Sequence, residues 1–406
     1  MKKLGFVIPW FGEKIPGGAE MELRGLTTHL HEAGVELEIL TTCVKEFASD
    51  WNLNYYKPGL DTVLGMPVRR FRVRLRDGAC FDYVNKKLMM NQEVSEAEQE
   101  TYVRESVNST ELYDYMRKHA DEYSLFVFIP YMFGTTFYGC QVCPEKSVLI
   151  PCFHDESYFY MSVFRNQFSK IRGIIYHAEP EYELTNRYYD MSQVEQAVLG
   201  EGVDTELTYD AGRGRETYHL DFPYLLYAGR KDKGKNVHTL LAYFAEYKKR
   251  QDTDLKLVLI GGGQIEIPRE IRDDVVDLGF ISIQDKYDVT AGALALCQPS
   301  THESFSLVVM ESWLCGRPVL VHGDCEVTSH FARKSNGGLY FNDYFEFEGC
   351  LNYFQANPEQ ATAMGDLGQQ FVIDHFSWKK IVEIYLQFFE KLVEENEKIG
   401  YTEIAE

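Results

Sequence analysis

The sequence of 406 residues lacks any apolar stretch close to the ~20 residues that a membrane-spanning helix requires. Its first apolar run, residues 4–8, is too short for a secretory signal and leads into Pro9 and Gly12. This run therefore predicts a first β-strand, and we expect the protein to be cytoplasmic.

Positive charge is also scarce, because 41 lysines and arginines stand against 62 aspartates and glutamates, for a formal net charge of −21. An acidic surface repels nucleic acid, so we expect no nucleic-acid partner. The one basic segment, which we call the arginine ladder, alternates Arg70, Arg72, Arg74 and Arg76. These side chains would share one face of a strand predicted over residues 68–75. The favoured interpretation pairs them with the acidic helical stretch at residues 91–122. The second is a peripheral contact with the inner face of the membrane or with a lipid pyrophosphate.

The nine cysteines are widely scattered, and their odd number favours reduced thiols in a cytosol. Cys140 and Cys143 form a single CxxC, to which Cys152 and His154 would add two further zinc ligands. No second CxxC exists, and Cys152 falls in a predicted strand. Buried thiols are therefore the favoured interpretation, and no metal cofactor is expected.

Apolar strands alternate with amphipathic helices along the chain, and the alternation restarts at Tyr224. This pattern predicts two doubly wound α/β domains, Rossmann-like in topology, that face each other across a cleft. The predicted domains are residues 1–203, with a helical insertion at about 91–122, and residues 204–377. A C-terminal helix and tail at 378–406 is expected to pack back toward the first domain. The linker is placed within residues 200–221, which have four glycines and little periodicity.

Residues 297–321 carry the most chemical information, as a strand, a polar loop, a helix, a glycine stop and another strand. Glu303 precedes the helix and Glu311 lies within it, with seven residues between them. The free amides at the start of this helix form an anion site, and carboxylates beside it accept hydrogen bonds from hydroxyl groups. These amides belong to Phe305, Ser306 and Leu307.

This segment, with the Gly316-Arg317-Pro318 that follows, resembles the Glu-x7-Glu signature of family 4 glycosyltransferases. The resemblance implies the GT-B fold, in which Glu311 binds the ribose hydroxyls of a nucleotide-sugar donor. It also implies that Glu303 and the amides of residues 305–307 hold the donor sugar. Many relatives have glycine in place of Ser306, so a side chain here is expected to narrow the sugar pocket.

A basic turn follows the strand predicted at residues 224–228. Gly229 permits a tight turn, and Arg230 and Lys235 follow with four residues between them. The resemblance implies that this pair lies on the donor diphosphate, whose negative charge grows as it leaves. Lys233 competes with Lys235 for this role, and the spacing to Arg230 favours Lys235.

Five further residues complete the implied site. Gly262, within the glycines at 261–263, and Phe280 would lie near the nucleotide. Gly17 and Gly18 open a helix in the N-terminal half, where they would touch phosphate or acceptor. His154 follows a strand, and the resemblance implies that it lies beside the anomeric carbon of the donor sugar.

The function implied by the resemblance is transfer of a hexose-type sugar, with retention, from a UDP- or GDP-sugar to a hydroxyl of a glycan or glycolipid. No metal takes part, because Arg230 and Lys235 stabilise the leaving diphosphate, and domain closure excludes water. Such enzymes commonly serve surface polysaccharide or glycoconjugate synthesis. Two alternatives stay open: a nucleotide-sugar epimerase, and a catalytically silent nucleotide-binding subunit on the same fold.

Overall fold

The computed structural model describes residues 2–405, with side chains described for residues 2–398. The chain forms two compact units. The N-terminal unit comprises the chain up to Gly202 together with the chain from Trp378, and the C-terminal unit comprises Val203–Ser377. Each unit contains a mainly parallel sheet with helices, which confirms the predicted pair of doubly wound α/β domains.

The sheet of the N-terminal unit has eight strands in the order β3-β4-β2-β1-β5-β6-β7-β8. All neighbours pair in parallel except the edge pair β3–β4. The strands are β1 (Lys3–Ile8), β2 (Leu37–Thr42), β3 (Gly59–Val63), β4 (Met66–Phe71), β5 (Tyr123–Phe128), β6 (Ser147–Leu149), β7 (Gly173–Tyr176) and β8 (Glu195–Val198). The central strands are buried, as the continuous apolar runs of a sheet covered on both faces require.

Among the described residues before Val203 there are seven α-helices: α1 (Gly18–Glu32), α2 (Gly78–Met89), α3 (Glu96–Glu105), α4 (Thr110–His119), α5 (Gly134–Gly139), α6 (Ser162–Phe168) and α7 (Glu179–Tyr188). Helix α1 is amphipathic and buries Leu23, Leu26 and Leu30. Gly34 follows it with φ +84°, a left-handed conformation that suits glycine after a helix end.

The C-terminal unit has a six-stranded parallel sheet in the order β11-β10-β9-β12-β13-β14. Its strands are β9 (Tyr224–Ala228), β10 (Lys256–Ile260), β11 (Val275–Gly279), β12 (Ala295–Gln298), β13 (Val319–His322) and β14 (Gly338–Phe341). Its helices are α8 (Ala211–Tyr218), α9 (Val237–Arg250), α10 (Ile283–Gly292), α11 (Leu307–Leu314), α12 (Glu326–Ser335), α13 (Tyr344–Ala356) and α14 (Pro358–Phe376). The first strand of this sheet, β9, therefore lies beside the fourth, as in a Rossmann sheet.

The last helix, α15 (Trp378–Ala405), packs on α1 in the N-terminal unit, as predicted. The Trp378 ring stacks on His29 at 4.3 Å between ring centroids. Gly25 lies directly under this ring, since a Cβ there would stand 2.4 Å from it. None of the described helices combines the length and the apolar character of a membrane span.

The predicted linker at residues 200–221 is wrong in its second half, because it contains helix α8. Asp210 caps this helix, and its carboxylate accepts a hydrogen bond from the Gly212 amide at 2.8 Å. A Cβ at Gly214 would stand 2.7 Å from the backbone of Asp288, so this glycine permits close packing on α10. Gly214, one of the glycines that suggested a linker, is thus required for packing. The short strands β3, β8 and β14 also escaped prediction.

The stretch at residues 91–122 holds α3 and α4, and one face of each helix is buried. Ser95 and Glu98 form a capping box at the start of α3. Tyr102 on α3 and Leu112 on α4 join the main apolar core of the N-terminal unit. The polar sequence conceals this burial because only one face of each helix is apolar.

The arginine ladder is paired within the N-terminal unit. The strand β4 ends at Phe71, so the prediction of a strand through residue 75 is wrong. Arg70 is 3% exposed and its Nε lies 3.0 Å from Asp61 Oδ2. Arg72 and Arg74 pair with carboxylates of the acidic helices, and the Arg76 guanidinium lies over the Trp51 ring at 4.5 Å. These contacts support the pairing interpretation rather than a free basic face for lipid.

Glu105, at the end of α3, accepts hydrogen bonds from two arginines. Arg74 Nη2 lies 2.8 Å from Glu105 Oε2, and Arg104 Nε lies 2.8 Å from Oε1. Burial acts to raise the pKa of Glu105, but the hydrogen bonds from Arg104, the Asp77 amide and Arg74 outweigh it and lower this pKa to about 2. The carboxylate is therefore stabilised in its charged form.

We predict that Glu105→Gln lowers the free energy of unfolding at neutral pH by on the order of 2 kcal/mol. Because the pKa is depressed in the folded state, this contribution is present above the unfolded-state value of about 4.3 and is lost as the pH falls toward about 2. Urea denaturation of both proteins at several pH values measures the effect. Glu111→Gln is the matched control, since its exposed pair with Arg72 is worth at most about 1 kcal/mol. Equal losses in the two variants would contradict the prediction.

Candidate active site

The topology of the C-terminal unit places the predicted donor residues at one edge of its sheet. Strands β9 and β12 are parallel neighbours, with Leu226 paired to Leu296. The strand order reverses at this point, and loops leaving neighbouring strands there diverge to leave a crevice where ligands bind. The basic turn follows β9, and the loop that carries Glu303 follows β12.

The two loops are joined by an ion pair. Lys235 Nζ lies 2.6 Å from Glu303 Oε1, and the two side chains are 26% and 10% exposed. Asn236 adds a second link, since its Nδ2 donates to the Pro299 carbonyl at 3.0 Å. Lys233, the rival predicted for the phosphate role, is exposed. The lysine of this turn that contacts Glu303 is therefore Lys235.

Arg230 presents an exposed cation in the same turn as Lys235. Its side chain is 73% exposed, and its Nε lies 3.6 Å from Asp232 Oδ2. The next residue, Lys231, is almost fully buried and its Nζ lies 2.5 Å from Asp277 Oδ1 on β11. Sequence reasoning gave Lys231 no role, because nothing in a basic turn distinguishes the buried lysine from its neighbours.

Glycines allow the turns after β9 and β10 to lie backbone against backbone. A Cβ at Gly261 would stand 2.0 Å from the Gly229 carbonyl oxygen, so only glycine fits there. The Lys231 amide donates to the Gly262 carbonyl at 2.8 Å, while no atom lies within 4 Å of a Cβ built on Gly262. The predicted residue Gly262 thus borders open space.

Phe280 stands at the carboxyl end of β11 and is 90% exposed. It follows Gly279, whose carbonyl accepts a hydrogen bond from the Gly261 amide at 2.7 Å. This hydrogen bond therefore joins the glycines at 261–263 to the segment that carries Phe280. An exposed ring in this position is free to stack on a planar ligand.

Glu311 lies on α11 and contacts two residues of α10 that the sequence did not indicate. Lys286 Nζ lies 2.5 Å from Glu311 Oε1, and the Tyr287 hydroxyl donates to the same oxygen at 3.4 Å. Burial, followed by the charge of Glu311, raises the pKa of Tyr287 well above its usual range. The Glu311 side chain is 16% exposed, so part of it still reaches solvent.

Ser306 precedes α11 with φ 76° and ψ 77°, a left-handed conformation that is costly for a residue with a side chain. This strain gives the physical reason for glycine in many relatives at this position. Ser306 is 8% exposed, and Gln298 Nε2 lies 3.5 Å from its hydroxyl. Phe305 is buried against Phe331 and Phe376, while Leu307 is the first residue of α11.

The other predicted residues lie in the N-terminal unit, at carboxyl ends of its strands. Gly17, with φ 138°, precedes α1, and a Cβ there would stand 1.9 Å from a carboxylate oxygen of Glu20. Gly18 has open space where a Cβ would lie. His154 follows β6, and its Nδ1 lies 3.5 Å from Glu156 Oε1 with the ring 24% exposed.

Cys140 and Cys143 are buried in the apolar core of this unit. Burial raises the pKa of the Cys140 thiol well above its usual range. These two residues thus fit the interpretation as buried thiols, which the sequence favoured over a zinc site with Cys152 and His154.

Solved structures with this fold share its architecture over almost the whole chain. Sucrose-phosphate synthase from Thermosynechococcus elongatus is 17% identical with a TM-score of 0.68, and the match covers 97% of this chain and 99% of that one. Anabaena HepE in complex with UDP and glucose is 14% identical with a TM-score of 0.68, covering 96% of this chain and 100% of that chain. These likenesses show the GT-B fold that the sequence predicted.

A match to a known family covers most of the C-terminal unit. Residues 213–371 match the family described as glycosyl transferases group 1, which confirms the predicted resemblance. Among curated proteins, alpha-maltose-1-phosphate synthase from Mycobacterium tuberculosis is 26% identical over 220 residues, covering 48% of this chain and 56% of its own length. The chain thus spans about half the length of this relative.

We predict that Ser306→Gly raises the free energy of unfolding by up to about 1 kcal/mol. Glycine relieves the left-handed strain, although the unfolded chain gains freedom that offsets part of the benefit. Ser306→Ala is the matched control, because it also loses the hydroxyl but keeps the Cβ. Thermal denaturation of both variants measures the effect, and a glycine variant less stable than the alanine variant would contradict it.

Proposed function

We propose that this protein is a metal-independent, retaining glycosyltransferase that moves a hexose-type sugar from a UDP- or GDP-sugar to a hydroxyl of a glycan or glycolipid. Surface polysaccharide or glycoconjugate synthesis in the cytoplasm is the setting we propose. The observation that carries this proposal is the Lys235–Glu303 pair at the reversal point of the sheet, within the region that matches group 1 glycosyl transferases. The similar Anabaena structure that contains UDP and glucose supports a nucleotide-sugar donor.

The nucleotide is proposed to lie along the carboxyl edge of the C-terminal sheet. Glu311 accepts hydrogen bonds from the two ribose hydroxyls, since its carboxylate has more acceptor sites than Lys286 and Tyr287 fill. Phe280 stacks on the base, and the open side of Gly262 lets the backbone approach the ligand closely. Each of these contacts uses a group that the structure leaves accessible.

The diphosphate is proposed to bind between Arg230 and Lys235. An exposed guanidinium and an ammonium can both reach phosphate oxygens, and the amides of residues 305–307 at the start of α11 add fixed dipoles. These groups stabilise the negative charge that accumulates when the bond to the sugar breaks. The diphosphate draws Lys235 from Glu303, and the freed carboxylate then accepts hydrogen bonds from the sugar hydroxyls.

Transfer with retention requires the acceptor hydroxyl to attack on the face from which the diphosphate leaves. We propose that the leaving diphosphate oxygen takes the acceptor proton, and that the transition state has oxocarbenium character. His154, Gly17 and Gly18 of the N-terminal unit are proposed to contact the sugar, the phosphate or the acceptor. The His154 ring is 24% exposed, and an imidazole near neutral pH can either donate or accept a hydrogen bond.

We predict that one nucleoside diphosphate among UDP, GDP and ADP selectively raises the melting temperature in the presence of EDTA. A ligand at a hundredfold excess over its dissociation constant adds about 2.7 kcal/mol to the stability of the native state. Each titration is compared with an EDTA sample without nucleotide. Glu311→Ala should abolish the shift, whereas Glu359→Gln, an exposed change on α14, should leave it intact. A wild-type protein that no nucleotide stabilises would refute the donor site.

We further predict that Lys235→Met weakens binding of that nucleoside diphosphate by about 10- to 150-fold, because a charge-assisted hydrogen bond contributes about 1.5–3 kcal/mol. Lys233→Met is the matched control two residues away and should change the affinity little. Calorimetric titration with the diphosphate and with the corresponding nucleoside separates the phosphate contact from the ribose and base contacts. A larger loss in the Lys233 variant would transfer the role to that residue.

A further inference from the structure

A buried polar cluster lies in the N-terminal unit, at the carboxyl ends of β6, β7 and β8. Its members come from α1, from the segments after these three strands and from α7: Glu22, Cys152, His177, Glu181 and Glu201. The four residues other than Cys152 are at most 8% exposed, and Cys152 is half-buried. The donor chemistry described above uses none of them.

Three of these side chains have the spacing of metal ligands. Glu22, Cys152 and His177 each offer a ligand atom, and these atoms all lie within 4.8 Å of one another. His177 Nε2 lies 2.6 Å from Glu22 Oε1, and Cys152 Sγ lies 3.8 Å from Glu22 Oε2. Tetrahedral zinc bonds of about 2.0–2.3 Å place ligand atoms roughly 3.3–3.8 Å apart. A shift of about 1 Å at the His177–Glu22 contact therefore makes room for an ion.

The cluster holds three carboxylates but a single basic side chain, His177, which pairs with Glu22 and Glu181. Within the described part of the chain, no lysine or arginine forms an ion pair with Glu22, Glu181 or Glu201. Glu201 is 8% exposed, receives no hydrogen bond from any described residue, and interacts electrostatically with Glu22 and His177. Burying more carboxylates than one histidine can balance is costly, so the cluster is suited to a cation.

Glu181 holds the histidine in place. Its Oε2 accepts the His177 amide at 2.7 Å, its Oε1 accepts the Phe153 amide at 2.7 Å, and the same carboxylate lies 3.5 Å from His177 Nδ1. A carboxylate on one ring nitrogen leaves the other directed at Glu22. Metal-binding histidines in proteins are oriented in this way by an outer carboxylate.

We propose that the N-terminal unit binds a divalent transition metal ion, zinc by its ligand chemistry, through Glu22, Cys152 and His177. Glutamate oxygen, thiolate sulfur and imidazole nitrogen together are typical of zinc. Binding releases the thiol proton of Cys152 to solvent. The ion links α1 to the segments that follow β6 and β7. Its ligand Cys152 lies two residues before His154 in the chain. This site is separate from the proposed donor site in the C-terminal unit and does not depend on it.

The first test measures the affinity of the full chain for zinc. The protein is purified without a histidine tag, stripped with a chelator and dialysed into zinc buffers. We expect about one zinc ion per chain, with Cys152→Ser and His177→Gln weakening the affinity more than about 100-fold. Glu181→Gln should cost about 10- to 100-fold, as outer carboxylates do. Cys43→Ser is the matched control, since Cys43 is a fully buried thiol after β2 in the same unit.

A second measurement decides the question if a variant fails to fold. Cobalt(II) titrated into the wild-type chain should give the thiolate-to-cobalt charge-transfer absorption and the intense visible bands of a tetrahedral site. Their presence in wild type and in Cys43→Ser, with loss of the charge-transfer absorption in Cys152→Ser, supports the proposal. It is overturned if the wild-type chain binds neither ion, or if Cys152→Ser keeps an unchanged charge-transfer band. Loss of nucleotide binding alone would leave this result unaffected.

Discussion

The ion pair between Lys235 and Glu303 joins the two loops on which the rest of the C-terminal site depends. Each partner ends a loop from a different strand, and either charge alone in this half-buried position would be destabilising. The pair therefore fixes the distance between the loop after β9 and the loop after β12 while no donor is bound. Since the parallel register of β9 and β12 positions both loops first, the ion pair refines a geometry that the sheet has already set.

Close backbone packing imposes the second constraint on the same edge. Gly229 and Gly261 meet at a distance that excludes a Cβ, and the Gly279 carbonyl closes the arrangement. Ser306, unlike these glycines, has a side chain and still adopts a left-handed conformation. Strain of this kind persists only where surrounding contacts hold it, and here the buried Phe305 on one side and α11 on the other provide them.

Much of this could be predicted from sequence, because strand and helix periodicities and the Glu-x7-Glu spacing are local signals. The partners of Glu311 could not, since Lys286 lies 25 positions away and nothing in helix α10 distinguishes it from a solvated lysine. The cluster around His177 could not be predicted for the same reason, because Glu22, whose carboxylate contacts His177 Nε2, is 155 positions away in the chain. The glycines before and within α8 wrongly suggested a linker, although Gly214 serves packing, and polar residues weakened the apolar pattern of the edge strands β3 and β8.

The return of α15 to the N-terminal unit has a consequence for the order in which the chain is made. Residues of this helix complete the core of a unit whose other residues precede Val203, and Tyr385 donates a hydrogen bond to the Gly200 carbonyl at 3.0 Å. A ribosome therefore delivers the whole C-terminal unit before the N-terminal unit has all its parts. The inserted unit can fold while its host is still incomplete, so the unit synthesised first is the last to be finished.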